Sequence, residues 1–195
     1  MIQGTPEWFE ARRGMITASN FSTIMANYGK AFGNPAIQYA MRVAIEGETN
    51  RSIETFKNEW MERGTELESE ARHAYELQTF TSVEETGFHT NGRFGASPDG
   101  LVEDGLIEIK CPKYSTHMDI LEKGGYDKSY QWQIRGQMWI LDRPWCDFVS
   151  YCPDFPEHKQ VYIYRVERDM KEEDKMIERL NEFAKLVEHY KNVLR

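Results

Sequence analysis

The chain has 195 residues, 40% of them hydrophobic and 13% aromatic, with 32 acidic against 24 basic side chains and a net charge of −8. That length and composition predict one globular domain spanning 1–195, large enough to bury a core. No apolar run approaches the roughly 18 residues of a membrane span, and the N-terminal MIQGTPEWFEARRG lacks the apolar core of a signal peptide, so a cytoplasmic protein is expected. Three cysteines (Cys111, Cys146, Cys152) without a C-x-x-C pair argue against a disulfide framework or a zinc ribbon and exclude a four-cysteine iron–sulfur cluster within one chain. Residues 46–108 hold 15 acids and 5 bases, while the rest of the chain is nearly balanced. The excess acid therefore sits in one segment, where clustered carboxylates repel unless solvated or neutralised by a cation.

In chain order, Thr5-Pro6-Glu7 reads as the cap, first position and first-turn acid of a helix. A second short helix follows, capped by Thr17 or Ser19 and ending near Asn27–Gly29. The loop YGKAFGNPA leads to a helix from Pro35 to about Ile45. From Ile53 to Leu77 the residues Phe56, Trp60, Gly64, Leu67, Ala71 and Ala74 form one apolar stripe at helical spacing. Val83–His89 reads as a strand, Phe94–Ala96 as a short one, and Leu101–Val102 with Leu106–Cys111 as a hairpin around EDG. A glutamine-bearing helix follows over Tyr130–Leu141. Then come strands at Cys146–Tyr151 and Gln160–Val166, and a last helix capped by Asp169 and running to about Val193. Interleaved strands and helices predict an α/β or α+β fold.

The hairpin SPDGLVEDGLIEIKCP is apolar yet carries Asp99, Glu108 and Lys110. With Asp104-Gly105 as its two-residue turn, Leu101 faces Glu108 and Asp99 faces Lys110, and alternation puts all three charges on one face. Val102, Ile107 and Ile109 then point into the core. A one-residue shift would turn Asp99 to the wrong face. Two carboxylates at bonding distance suit a hard divalent cation such as Mg²⁺ or Mn²⁺. A lysine beside them suits phosphodiester hydrolysis. The spacing alone fits an exposed, salt-bridged hairpin equally well.

SPDG…LIEIKCP closely resembles the motif of the lambda exonuclease family (YqaJ-like viral recombinases), within the PD-(D/E)xK nuclease superfamily. EWFEARRGMITAS, RGTELESEAR and YQWQIRGQMWI resemble three further motifs of that family, in family order, between about residues 7 and 140. The resemblance implies a restriction-endonuclease-like core, a central mixed sheet flanked by helices. It implies Asp99, Glu108, the Ile109 carbonyl and Glu68 as ligands of Mg²⁺, for which Mn²⁺ can substitute. Lys110 would be the catalytic lysine and Gln133 an active-site glutamine. It implies Arg12, Ser19 and Ser97 as a 5′-phosphate pocket, with Arg13 the neighbouring candidate, Lys30 as a duplex contact and Met61 as an apolar wedge. From the residues alone, Glu68 reads as the partner of Arg72 on a wet face, Arg12 could be a surface cation or pair with Glu7 or Glu10, Gln133 could be a helix-surface amide, and Met61 could lie in the core. Arg135 and Gln137 depart from the commonest residues of the family's helix.

The activity implied is a 5′–3′ exonuclease that digests one strand of double-stranded DNA to mononucleotides and a 3′ single strand. The setting implied is phage-type recombination, in a phage- or prophage-encoded protein. The family's homotrimeric ring and single-strand annealing partner are implied with it. A structure-specific or restriction-type endonuclease with the same metal site, and a non-catalytic DNA-end-binding module, are the alternatives.

Overall fold

The structure is a computed structural model; it describes residues 3–53 and 59–195, the backbone alone over 59–65. Met61, Trp60 and Gly64 fall in that last stretch, and the Met61 wedge therefore lies outside the described side chains, as does Phe56 of the apolar stripe.

Helix α1 (Pro6–Arg12) starts as its sequence dictates: Thr5 Oγ1 accepts the Trp8 N–H at 3.4 Å and Pro6 occupies the first turn. A two-residue strand, β1 (Ile16–Thr17), a 3₁₀ turn over Ala18–Asn20 and the short helix α2 (Phe21–Met25) follow. Neither Thr17 nor Ser19 caps α2, contrary to the sequence expectation. The 3₁₀ turn supplies the entry, and Thr17 Oγ1 instead accepts from Asn20 Nδ2 at 2.9 Å. Helix α3 (Asn34–Thr49) runs past its expected end and packs with α2 on the C-terminal helix α8 (Met170–Leu194). Asp169 caps α8, accepting from the Lys171 and Glu172 N–H groups at 3.0 and 3.2 Å. Ile24, Tyr39, Val43, Leu180 and Phe183 close the core between them.

Helix α4 (Glu59–Thr79) precedes the first sheet, which has order β1-β3-β2 with β2 (His89–Asn91) and β3 (Phe94–Ala96). The strand expected over Val83–His89 reduces to one bridge, Glu84 with Leu101, and the ladder begins only at His89. The Val83 N–H is taken by Glu76 Oε1 at 2.7 Å, so a helix side chain rather than a strand holds it. The second sheet has order β4-β5-β6-β7: β4 (Gly100–Val102), β5 (Gly105–Lys110), β6 (Trp145–Tyr151) and β7 (Val161–Glu167). Only β5 and β6 run parallel, which makes the sheet mixed. A parallel pair needs a helical crossover, here α5 (Tyr114–Lys123) and α6 (Gln131–Leu141). Helix α5 was not legible in the sequence, because it buries only His117 and Ile120. The four-residue α7 (Glu157–Gln160) joins the last two strands.

Strand β5 is buried on both faces. Ile107 and Ile109 pack with Val102 against Ala71 and Tyr75 of α4. Leu106 packs against Ile134 and Met138 of α6. The hairpin register differs from the expected one. Leu101 opposes Leu106 and Val102 opposes Gly105, so the turn is Glu103-Asp104, with Glu103 in the left-handed region at φ 50°. Trp145 is the cause. A side chain on Gly105 would meet its indole at 2.2 Å, and Asp104 Oδ1 accepts from its Nε1 at 2.8 Å. The displacement is two residues, so every side chain keeps its face. Asp99, whose N–H donates to the Ile107 carbonyl at 3.2 Å, now sits across from Glu108 instead of Lys110.

Candidate active site

The register places Asp99 and Glu108 on neighbouring strands with Lys110 one pleat further along β5. Glu108 is 1% exposed, and a carboxylate at that depth demands partners. Its Oε1 accepts from Lys110 Nζ at 2.5 Å and from Gln133 Nε2 at 2.6 Å, and its Oε2 accepts from Gln137 Nε2 at 2.5 Å. Gln133 and Gln137 stand one turn apart on α6, which lies against the 3₁₀ turn and α2 because Gly136 offers no side chain to Ala18 and Phe21. Lys110 Nζ also lies 4.6 Å from the centre of the Tyr130 ring. Burial works against its ammonium, but Glu108 and Asp99 outweigh that and hold the lysine above its ordinary value.

Asp99 Oδ2 accepts the Ile109 N–H at 2.6 Å. An extended residue presents its N–H and C=O along the same strand edge, so the Ile109 carbonyl is directed to the Asp99 side as well. Burial, then Glu108 and Glu68, push the Asp99 carboxyl well above its usual range, against the pull of Lys110 and of the Ile109 N–H. Glu68 is raised too, by burial first and by Glu108, against the opposing pull of Arg72. Its Oε1 accepts from Arg72 Nη2 at 2.8 Å, so the helical pair exists alongside its influence on the centre. Among the described residues no three acidic, histidine or cysteine side chains converge on one point. Asp99 and Glu68, both held away from easy ionisation, the Glu108 carboxylate that acts on each of them and the directed Ile109 carbonyl nevertheless offer only oxygen donors, the chemistry that fits Mg²⁺ or Mn²⁺.

A second cluster lies upstream on the same strand-to-hairpin segment. Arg12 reaches Ser97 Oγ at 3.4 Å and Ser19 Oγ at 3.5 Å, with its guanidinium 4.1 Å from the Trp8 ring centre. Trp8 Nε1 donates to Ser97 Oγ at 2.8 Å. Burial holds Arg12 below its ordinary value, opposed by Tyr39 and aided by Arg42. Neither Glu7 nor Glu10 pairs with it among the described residues. Arg13 turns the other way, to Asn50 Oδ1 at 2.9 Å and Ser52 Oγ at 3.2 Å. The motif residues Arg12, Ser19 and Ser97 thus come together and Arg13 does not join them. Lys30 stands exposed on a loop tied to α8, where Arg179 Nη2 donates to its carbonyl at 2.9 Å. Trp8 and Gln137 were not singled out for these clusters by motif. For Gln137 the signal was its four-residue spacing from Gln133.

A mixed sheet flanked by helices, with Asp99 on one side of a hairpin and Glu108-x-Lys110 on the other, defines the PD-(D/E)xK class of nuclease folds. The chain belongs to the YqaJ-like viral recombinase family, whose domain model matches residues 7–144. The alkaline exonuclease LHK-Exo from Laribacter hongkongensis is 36% identical over 97% of this chain and 98% of its own, with a TM-score of 0.82. Its complex with dAMP superposes at 0.83 with the same identity and coverage. A phage-related exonuclease from Haemophilus somnus 129PT shares the fold, at a TM-score of 0.74 and 15% identity over 92% of this chain and 95% of that one. No curated protein matches the chain.

Proposed function

We propose that the protein is a divalent-metal-dependent exonuclease that digests one strand of linear double-stranded DNA from its 5′ end. It releases mononucleotides and leaves a 3′ single strand for phage-type recombination by annealing. One observation carries the reading: Ser97 of the arginine cluster and Asp99 of the carboxylate centre are separated by Pro98 alone. Two residues of extended chain span about 7 Å, the reach of a single nucleotide. A 5′-phosphate held by Arg12, Ser19 and Ser97 would leave the next phosphodiester at Asp99 and Glu108. LHK-Exo, 36% identical, binds dAMP, a mononucleotide of that kind.

In this reading Asp99, Glu108, the Ile109 carbonyl and Glu68 hold Mg²⁺ or Mn²⁺. When bound, such a cation polarises a phosphoryl oxygen and lowers the pKa of water. Lys110, kept charged by Glu108 and Asp99, stabilises the negative charge that develops on the phosphate. Gln133 keeps Glu108 in place. The Arg12 fork grips the terminal monoester, which carries about −1.5 to −2 charge near neutrality. Lys30 touches the duplex. Family membership supports a homotrimeric ring around DNA and a single-strand annealing protein as partner, and the ring is checked by light scattering at about three chain masses.

The deciding assay gives the protein Mg²⁺ with linear and closed-circular duplexes of one sequence. Mononucleotides from the linear form and an intact circle are expected. A cut circle would make it an endonuclease, and retention of ends without hydrolysis would make it an end-binding module.

A further inference from the structure

The buried positions of α6 are Gly136, the apolar Ile134, Met138 and Ile140, and one polar residue. Gln137 is 1% exposed, as deep as they are. Its Nε2 donates to Glu108 Oε2 at 2.5 Å, while its Oε1 is buried without a hydrogen-bond partner. A leucine or methionine would fill the same space and strand no acceptor, so packing does not account for the amide. Reversing the amide would set two acceptors face to face. The Glu108 charge therefore fixes Gln137, and Gln137 in turn fixes the carboxylate. Gln133 grips Oε1 and Gln137 grips Oε2, from successive turns of one helix. Oε1 is shared by Gln133 and Lys110, and Oε2 takes the Gln137 amide, so the carboxylate is held at both oxygens.

We propose that Gln137 is a positioning residue that fixes the orientation in which the Glu108 carboxylate meets a cation and so sets the affinity for that cation. This rests on the reading of Glu108 as a cation ligand. Groups that orient ligands in this way change metal affinity or activity by about 10- to 100-fold when removed.

The test titrates Mn²⁺ calorimetrically into DNA-free protein: wild type, Asp99→Asn, Gln137→Leu and Gln137→Met, each checked for fold by circular dichroism. Both Gln137 variants should bind Mn²⁺ about 10- to 100-fold more weakly. The Mg²⁺ midpoint for activity should rise in step, with KM for DNA and the preference for phosphorylated ends unchanged. Wild-type affinity in Gln137→Leu beside lost affinity in Asp99→Asn overturns this inference alone. Wild-type affinity in Asp99→Asn overturns the reading of the centre itself. Should neither Gln137 variant fold, the wild-type protein decides: the Gln137 side-chain NH₂ resonances must shift on adding Mg²⁺, and an unmoved pair overturns the proposal.

Discussion

Around Glu108 the contacts are short and dense: two glutamine side chains and a backbone amide lock two carboxylates and a lysine, with donor–acceptor distances of 2.5–2.6 Å. Around Arg12 they are long, 3.4 and 3.5 Å to two hydroxyls, and the guanidinium leans mainly on an indole face. Sheet pairing and a helix fix the first region before any ligand arrives. The second is a set of donors with no anion among them. In the proposed reading the difference has a use: a centre that does chemistry needs its charges preset, whereas a pocket that released and recaptured a strand end at every step would be hindered by a tight internal partner for its arginine.

The largest break in this contrast comes from the preset side. Asp99→Asn or Glu108→Gln should lower hydrolysis on the order of 10³-fold or more, because several kcal/mol of cation assistance goes with the ligand; near-normal turnover in saturating Mg²⁺ would contradict it. Lys110→Ala should lower kcat by about 10²- to 10³-fold while leaving Mn²⁺ affinity near wild type, since an ammonium is no ligand. Arg12→Ala tests the loose side. Charge-assisted hydrogen bonds contribute roughly 1.5–3 kcal/mol, so a preference of about 10- to 100-fold for 5′-phosphorylated over 5′-hydroxyl ends should vanish, with hydroxyl ends barely slowed. Initial rates on two duplexes differing only in that phosphate measure it. Arg13→Ala, which breaks contacts to Asn50 and Ser52 among the described residues, should leave the preference intact.

The smallest effect is one of pH on the protein kept in chelator. Asp99 binds its proton more tightly folded than unfolded, so the folded state carries the extra proton between its unfolded value near 3.8 and its raised folded value. Stability must fall as pH rises through that window and level off above it. Denaturant midpoints should show the decline in wild type and a flatter curve in Asp99→Asn. Calcium at about a hundred times its Kd should restore about 2.7 kcal/mol at neutral pH, in wild type only.

Much of this was legible because it depends on period alone. The long helices α3, α4 and α8 follow from apolar residues at three- and four-residue steps. The shared face of Asp99, Glu108 and Lys110 survives a misplaced turn because side chains alternate with period two. The turn itself was misread because Asp-Gly is a favoured turn pair, and only the distant Trp145 reveals that Gly105 is needed beneath an indole. Helix α5 was missed; it is short and buries only His117 and Ile120. The four motifs pointed to Arg12, Ser19 and Ser97, but which of adjacent Arg12 and Arg13 lies beside the two serines needed coordinates, since neighbours on a helix point about 100° apart. Gln137 stood in plain view as an amide. That it grips Glu108 could not be read without the parallel pairing that carries α6 over β5.

Trp8 gives the loose pocket an optical readout. Its indole donates to Ser97 and carries the Arg12 guanidinium 4.1 Å above its ring. A strand end that draws the guanidinium toward a phosphate changes the charge over that ring, and with it the emission of the indole. On the proposed reading, occupancy of the pocket could therefore be followed as light, without labels, in protein kept free of metal, and Trp8→Phe would identify the signal by removing it.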